Sequence, residues 1–186
     1  MSLQKQQNLL AKLYTDAEFR RAFLSEPEKI GAENDLSKKE IAEIAGIMPE
    51  ELNFFADSLF WKRLREVEKF LPLTRKVLAK DFSKYFREFS RIFNPQSVKK
   101  HFEDARHFCL YLRAQSLTDF AESAVKFEQS KLEFFGLEKR LVVCRLDYDI
   151  RKISESDPNE QFEIPEKKAQ IVVWLRFGKR IRHFFI

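Results

Sequence analysis

The stretch RLREVEKFLPLTRK, residues 63–76, decides how the helices of this chain are joined. Its apolar residues Leu64, Val67 and Leu71 recur at spacings of three and four, which indicates the buried stripe of an amphipathic helix. Pro72 cannot donate to a helical hydrogen-bond ladder, and it disfavours helical geometry at the residue before it. The stretch therefore predicts that one helix ends at about Leu71 and that a second helix starts at the proline.

Helical patterns extend on both sides of this corner. Upstream, Ser37 and Glu40 have the form of a capping box, and Pro49 suits the first turn of the helix that reaches Leu71. Residues 27–35 read as a polar connection between helices. Downstream, we expect helices that start at Asp81, at Asn94–Pro95, and at Ser116 or Thr118. The helix after Pro95 has an apolar stripe formed by Val98, Phe102, Ala105, Cys109 and Leu112.

The pattern changes after Gly136, which we expect to end the last helix. Residues 141–149 alternate and are rich in β-branched side chains, which is typical of a strand, and 171–177 read as a second strand. The acidic stretch 154–168 reads as a long loop, and the tail 179–186 is a candidate third strand. The sequence predicts a mainly α fold, a multi-helix body (1–136) with a small C-terminal antiparallel β-appendage (137–186).

Composition narrows the class of protein. The 186 residues are 44% hydrophobic and 34% charged, with a net charge of +5, which is typical of a globular chain. The four glycines argue against Gly-rich phosphate loops. The N-terminus has no apolar segment of the secretory kind and no apolar run is long enough to span a membrane, so we expect a cytoplasmic location. Cys109 and Cys144 are then expected to be free thiols rather than a disulfide.

Residues 62–91 form a basic segment with 10 Lys or Arg against 4 acidic residues. Such a surface is where contact with phosphates would begin, so a nucleic-acid-binding regulator is the alternative function. The other interpretation is a solvated face, since Lys62–Glu66 and Arg65–Glu68 have spacings that pair on a helix. The candidate nucleic-acid-binding residues are Lys62, Arg63, Arg65, Lys69, Arg75 and Lys76.

The sequence contains no recognisable catalytic motif. Glu103 and His107 are four residues apart and could share a metal ion, but the spacing implies no third ligand, and HExxH and CxxC motifs are absent. An enzyme with its own metal at His101, Glu103 or His107 is the third hypothesis. We expect no catalytic residue, no bound metal and no cofactor, and hence no enzyme. Phenylalanines at 120, 127 and 134 repeat every seven residues, which predicts a core face or, alternatively, a groove for a partner helix.

The β-appendage offers a candidate binding site. A sheet of two or three strands leaves an edge that can accept an extended peptide as a further strand, unless the 150–170 loop covers it. Positive charge around that edge suits an acidic peptide. The candidate peptide- or partner-binding residues are Arg145, Val173, Arg176, Lys179, Arg180 and Arg182.

Three segments together resemble a known family: LLAKLYTDAEFRRAFLSEPEKIG (9–31), LPLTRKVLAKDFSKYFREFSR (71–91) and KKHFEDARHFCLYLRAQ (99–115). Their order is similar to that of the peptide-modification chaperones, a family first described as a DNA-binding domain. Its members are helper subunits of multinuclear-iron enzymes that modify ribosomally made peptides, as in methanobactin biosynthesis. The resemblance covers roughly 9–130, and the long 154–168 loop departs from it.

The resemblance implies that a partner enzyme holds the iron and that this chain presents the leader of the peptide. Strand addition to the edge at 141–149 or 171–177 would be the means. The hypothesis from sequence is therefore a non-enzymatic helper protein that docks a partner enzyme and its peptide, with no membrane involved.

Overall fold

The computed structural model describes residues 3–95, 97–151, 166–178 and 180–186. In these ranges helices precede a three-stranded antiparallel sheet, which confirms the predicted mainly α fold with a C-terminal β-appendage. The elements are α1 (Leu3–Thr15), α2 (Ala17–Ser25), α3 (Pro27–Glu33), α4 (Lys38–Ala45), α5 (Pro49–Phe70), α6 (Pro72–Leu78), α7 (Lys80–Ile92), α8 (Lys100–Arg113), α9 (Asp119–Gly136), β1 (Leu141–Tyr148), β2 (Lys167–Phe177) and β3 (Arg180–Phe185).

The chain divides into two compact units. The first runs to Arg63 and includes Ser90–Asn94, and the second comprises Leu64–Phe89 and the chain from Pro95 onward. The boundary that the sequence suggested, between residues 136 and 137, falls inside the second unit. There the last helix and the sheet bury the same apolar side chains and share one core.

In the first unit, α1 to α4 enclose a core that includes Leu13, Phe23 and Ile41. The predicted capping box is present, since the Ser37 hydroxyl accepts from the Glu40 N–H and the Glu40 carboxylate accepts from the Ser37 N–H. The expectation of a polar connection over 27–35 is wrong. Pro27 supplies the first turn of helix α3, where its missing N–H costs nothing.

The helix corner at 63–76 forms as predicted, with α5 ending at Phe70 and α6 starting at Pro72. Leu64, Val67 and Leu71 are all buried. No side chain within the corner caps α6. Instead the Glu128 carboxylate of α9 accepts hydrogen bonds from the backbone N–H groups of Leu73 (2.8 Å) and Thr74 (2.9 Å), which joins the corner to α9.

Helix α8 starts later than the sequence indicated. It begins at Lys100 rather than at Asn94–Pro95, and Val98 is fully exposed instead of joining the apolar stripe. The Ser97 N–H donates to the Glu103 carboxylate, so the chain before α8 is held by a turn. Ala105, Cys109 and Leu112 of the stripe are buried as expected, and Phe102 is half-buried.

The aromatic face of α9 is core, as the first of the two interpretations predicted. Phe120 and Phe134 are buried, and Phe127 is partly buried beside them. The ring of Trp174, from β2, lies 5.9 Å from Phe127 and 5.8 Å from Phe134, measured between centroids. The chain's own sheet therefore covers this face, which leaves no groove there for a partner helix.

The sheet has the order β1-β2-β3, with both neighbouring pairs antiparallel. The candidate third strand in the tail is confirmed as Arg180–Phe185. Strand β2 already begins at Lys167, so the predicted loop 154–168 is too long at that end, and its residues 154–165 lie outside the described residues.

Candidate functional site

Strand β2 cannot offer the edge that the sequence suggested at 171–177. It is the central strand, and Val173 lies between Val143 of β1 and Phe184 of β3. A proline at Val173 would break the ladder to β3 rather than block a binding edge. The candidate edges are therefore those of β1 and β3, each of which pairs with β2 alone among the described residues.

The hydrogen-bond alternation shows which groups of β1 face outward. The Arg176 N–H donates to the Arg140 carbonyl at 2.9 Å, so the even-numbered positions of β1 are the hydrogen-bonded partners of β2. The N–H and C=O groups of Val143 and Arg145 consequently point away from β2. The next odd-numbered residue, Asp147, follows the same rule, since its N–H donates to the Ser123 hydroxyl of α9 at 3.2 Å.

A cleft of about 260 Å³ borders this outward edge. Helix α9 forms one wall, the end of α8 contributes Arg113, and β1 forms the other wall. The lining residues are Arg113, Lys126, Gln129, Ser130, Glu133, Val142, Val143, Cys144 and Arg145. The cleft thus combines outward-facing strand backbone with polar and cationic side chains.

The lining carries more positive than negative charge. Arg113 and Lys126 line the α9 side of the cleft, and Arg145 borders it with its side chain directed to the opposite face of the sheet; Glu133 is the one acidic residue of the lining. The pKa of Glu133 lies below its ordinary value. Burial alone would raise this pKa, but the hydrogen bonds that Lys139 and Gln129 donate to the carboxylate have the larger combined effect. Glu133 is therefore ionised and already bonded. The cleft suits a ligand that brings its own negative charge.

Cys144 is not suited to nucleophilic chemistry. Burial raises the pKa of its thiol, against the smaller opposing effect of Ser130, and its Sγ lies 3.5 Å from the Lys126 carbonyl oxygen. A raised pKa keeps the sulfur protonated near neutral pH, and the thiolate is the reactive form. Both cysteines are free, and burial also raises the pKa of Cys109 well above its ordinary value.

The sequence-predicted binding residues do not form one cluster. Arg145 lies on β1 at the cleft, whereas Arg180 and Arg182 are exposed on β3, the opposite edge strand. Arg176 faces the core side, where its guanidinium donates to the Phe134 carbonyl and lies 5.2 Å from the centroid of that ring. Lys179 lies outside the described residues.

The basic segment at 62–91 is partly engaged within the chain. Arg63 donates to the Phe93 carbonyl at 2.7 Å. The two acidic residues pair differently from the predicted spacings, because Glu66 bonds Lys69 (2.6 Å) and Glu68 bonds Arg75 (2.7 Å). Lys62 and Arg65 are exposed, and Lys76 is half-buried.

The histidines of α8 do not assemble a metal centre in the described ranges, where no three His, Cys, Asp or Glu side chains lie close enough to hold an ion. His107 Nε2 lies 3.2 Å from the Arg106 guanidinium, and Glu103 accepts from the Ser97 N–H. The described helices also include none that is long and apolar enough to cross a membrane.

Sequence reasoning found Arg145 but missed the rest of the cleft. Arg113 and Lys126 come from two helices, and no local pattern places either beside a strand edge. The alternation of Val142, Cys144 and Leu146 could have indicated which face of β1 packs on the core. It puts these three residues on the core face and their odd-numbered neighbours on the opposite face.

No family model matches the chain, and no curated protein matches it.

Proposed function

We propose that this protein is a non-enzymatic helper that captures an extended segment of a partner or its peptide by strand addition to the outer edge of β1. The observation that carries the proposal is the outward direction of the Val143 and Arg145 backbone groups beside a cationic cleft. Main-chain hydrogen bonds to such an edge give affinity for any extended chain, and the flanking side chains give selectivity.

The length of the edge limits the segment. At one end of β1 the Asp147 N–H is already bonded to Ser123, which leaves 141–145 for an incoming strand. At about 3.3 Å per residue, this stretch spans roughly 16 Å. An added strand of about five residues would use it fully.

The charges of the cleft select an acidic segment. Carboxylates on one side of an added strand would lie near Arg113 and Lys126, and those on its other side near Arg145, while Lys126 already has one partner in Glu122 at 2.8 Å. Attraction between these groups adds to the sequence-independent backbone bonds. It also disfavours basic segments.

The family resemblance in the sequence supports a particular kind of partner. It implies an enzyme that holds a multinuclear iron centre, with this chain presenting the leader of the peptide to be modified. In that case the chain itself needs neither a metal nor a catalytic side chain, and the acidic extended segment is part of the leader.

A proline substitution tests the edge directly. Val143→Pro removes one outward N–H but no bond of the ladder to β2, so the sheet should persist while captured partners are lost. The tagged protein would be used to recover partners from native lysate that has been treated with nuclease, and mass spectrometry would identify them. A salt concentration of about 0.15 M, at which charges are screened beyond about 8 Å, suppresses long-range electrostatic binding. Ile181→Pro is the matched control, because the N–H of Ile181 points away from β2 at the opposite edge.

Loss of an enzyme or small peptide with Val143→Pro, but not with Ile181→Pro, supports the proposal. Equal recovery by both variants contradicts it. Recovery only of proteins that disappear on nuclease treatment would instead favour the basic 62–91 segment and a role in binding nucleic acid.

A further inference from the structure

The face of the sheet that points away from α9 is apolar and exposed. Helix α9 covers the other face, where Leu146, Val172 and Trp174 are buried. The exposed apolar side chains of the uncovered face are Leu141 (54% exposed), Val143 (59%), Ile171 (39%), Phe177 (66%), Phe184 (49%) and Ile186 (78%). Contiguous apolar surface of this kind is characteristic of an interaction site.

The strand register makes these residues one continuous surface. Val143, Val173 and Phe184 form a row across the three strands, since Val173 is the register partner of both others. Leu141 and Leu175 form a neighbouring pair in the adjacent row. Side chains directly opposite on one face lie about 5 Å apart, so the apolar members of each row are in reach of one another.

Arginines accompany this apolar surface. The same alternation places Arg145, Arg180 and Arg182 on the uncovered face, paired with Ile171, Phe177 and Leu175 respectively. The three strands together contain one acidic residue, Asp147, which lies at the irregular end of β1. The face therefore presents an apolar centre with cations around it.

We propose that this face docks an amphipathic helix of a partner protein whose apolar stripe is flanked by glutamate or aspartate. A helix fits because α9 already packs on the opposite face of the same sheet through its own apolar stripe. Carboxylates on both sides of the stripe would meet Arg145 at one strand and Arg180 or Arg182 at the other. A second copy stacked face to face would instead bring arginines against arginines, which charge repulsion opposes.

The surface shares Val143 and Arg145 with the edge of β1, but it uses side chains of the face, whereas the edge uses outward backbone groups. Variants that change a side chain on β3 or a backbone donor on β1 therefore distinguish the two sites. Phe184→Glu puts a carboxylate into the apolar row on β3 and leaves the backbone of β1 unchanged, whereas Val143→Pro keeps an apolar side chain on the face and removes a backbone donor.

The probe is a fluorescent peptide of about 18 residues, with leucines at helical spacing and glutamates at the flanking positions. Anisotropy titration should show binding by the wild-type protein. Affinity should fall about tenfold or more in Phe184→Glu, because docking would bury an unpaired carboxylate. Arg182→Glu should weaken binding and reduce its salt dependence. Phe54→Glu, on α5 where Phe54 is 75% exposed, is the matched control and should bind as wild type.

Three results would overturn the proposal. The first is equal affinity for a peptide in which lysines replace the glutamates. The second is unchanged affinity in folded Phe184→Glu and Arg182→Glu variants, with folding checked by circular dichroism and thermal unfolding. The third is absence of peptide binding together with binding to vesicles of anionic lipid, or with self-association by light scattering that Phe184→Glu abolishes. Those outcomes would assign the face to a membrane surface or to a second copy.

Discussion

Replacing Glu128 with glutamine should change how the stability of this protein depends on pH. Glu128 is 2% exposed, and its carboxylate accepts the N–H groups of Leu73 and Thr74 at the start of α6. Burial raises the pKa of Glu128 from 4.5 to about 7, against the opposing effect of those two backbone hydrogen bonds. The helix corner is therefore capped by a carboxyl group that titrates near neutral pH.

The sign and size of the effect follow from linkage between proton binding and folding. Between pH 4.5 and about 7 the folded protein holds a proton on Glu128 that the unfolded chain has released, so the free energy of unfolding falls as pH rises. The contribution is fully present below pH 4.5 and is lost above about 7. At 1.36 kcal/mol for each pKa unit, the total change is roughly 3 kcal/mol.

Urea unfolding of the wild-type protein and of Glu128→Gln, measured at intervals from pH 4 to pH 8, checks this prediction. The difference in unfolding free energy between the two proteins should change by roughly 3 kcal/mol over that window. Glu50→Gln, at the exposed start of α5, is the control for removal of one negative charge. A constant difference between wild type and Glu128→Gln, or an NMR titration that places the Glu128 pKa below 4.5, would refute the reasoning.

Three further substitutions test core packing and one ion pair. Gly31→Ala should destabilise the first unit by about 1–3 kcal/mol in urea unfolding, because the new Cβ would overlap the side chain of Ile41. Gly46→Ala, whose nearest neighbour is a carbonyl oxygen at 3.3 Å, should cost less, and equal costs would contradict the packing argument. Phe134→Ala should cost about 3–5 kcal/mol, since its ring is fully buried; a cost below about 1 kcal/mol would show that the core collapses around the gap. Hydrogen bonds from Arg151 hold the pKa of Asp149 at about 2, so the folded protein loses stability as the pH falls from about 4 to 2. This loss, followed by circular dichroism, should be smaller in Asp149→Asn.

Local features of the sequence were enough to predict most of the elements. Proline at 72, the capping box at Ser37 and the apolar stripe through Leu64 and Val67 each act on backbone geometry within a few residues. The same holds for the change to alternation after Gly136, which predicted strands in the C-terminal region. Misplaced boundaries, such as the missed α3 and the early start of α8, occurred where a proline suits both a helix start and a connection.

The order of the strands and the partners of distant groups were decided only by the tertiary structure. A strand of Val and Ile has the same pattern at the centre of a sheet as at its edge. No local feature therefore indicated that β2 is central and that β1 pairs with β2 alone among the described residues. Glu128 caps a helix that begins more than fifty residues earlier in the chain. Arg113 and Lys126 meet β1 because two helices pack beside it. These placements depend on which surfaces bury each other, and that is a property of the whole folded chain rather than of any short segment.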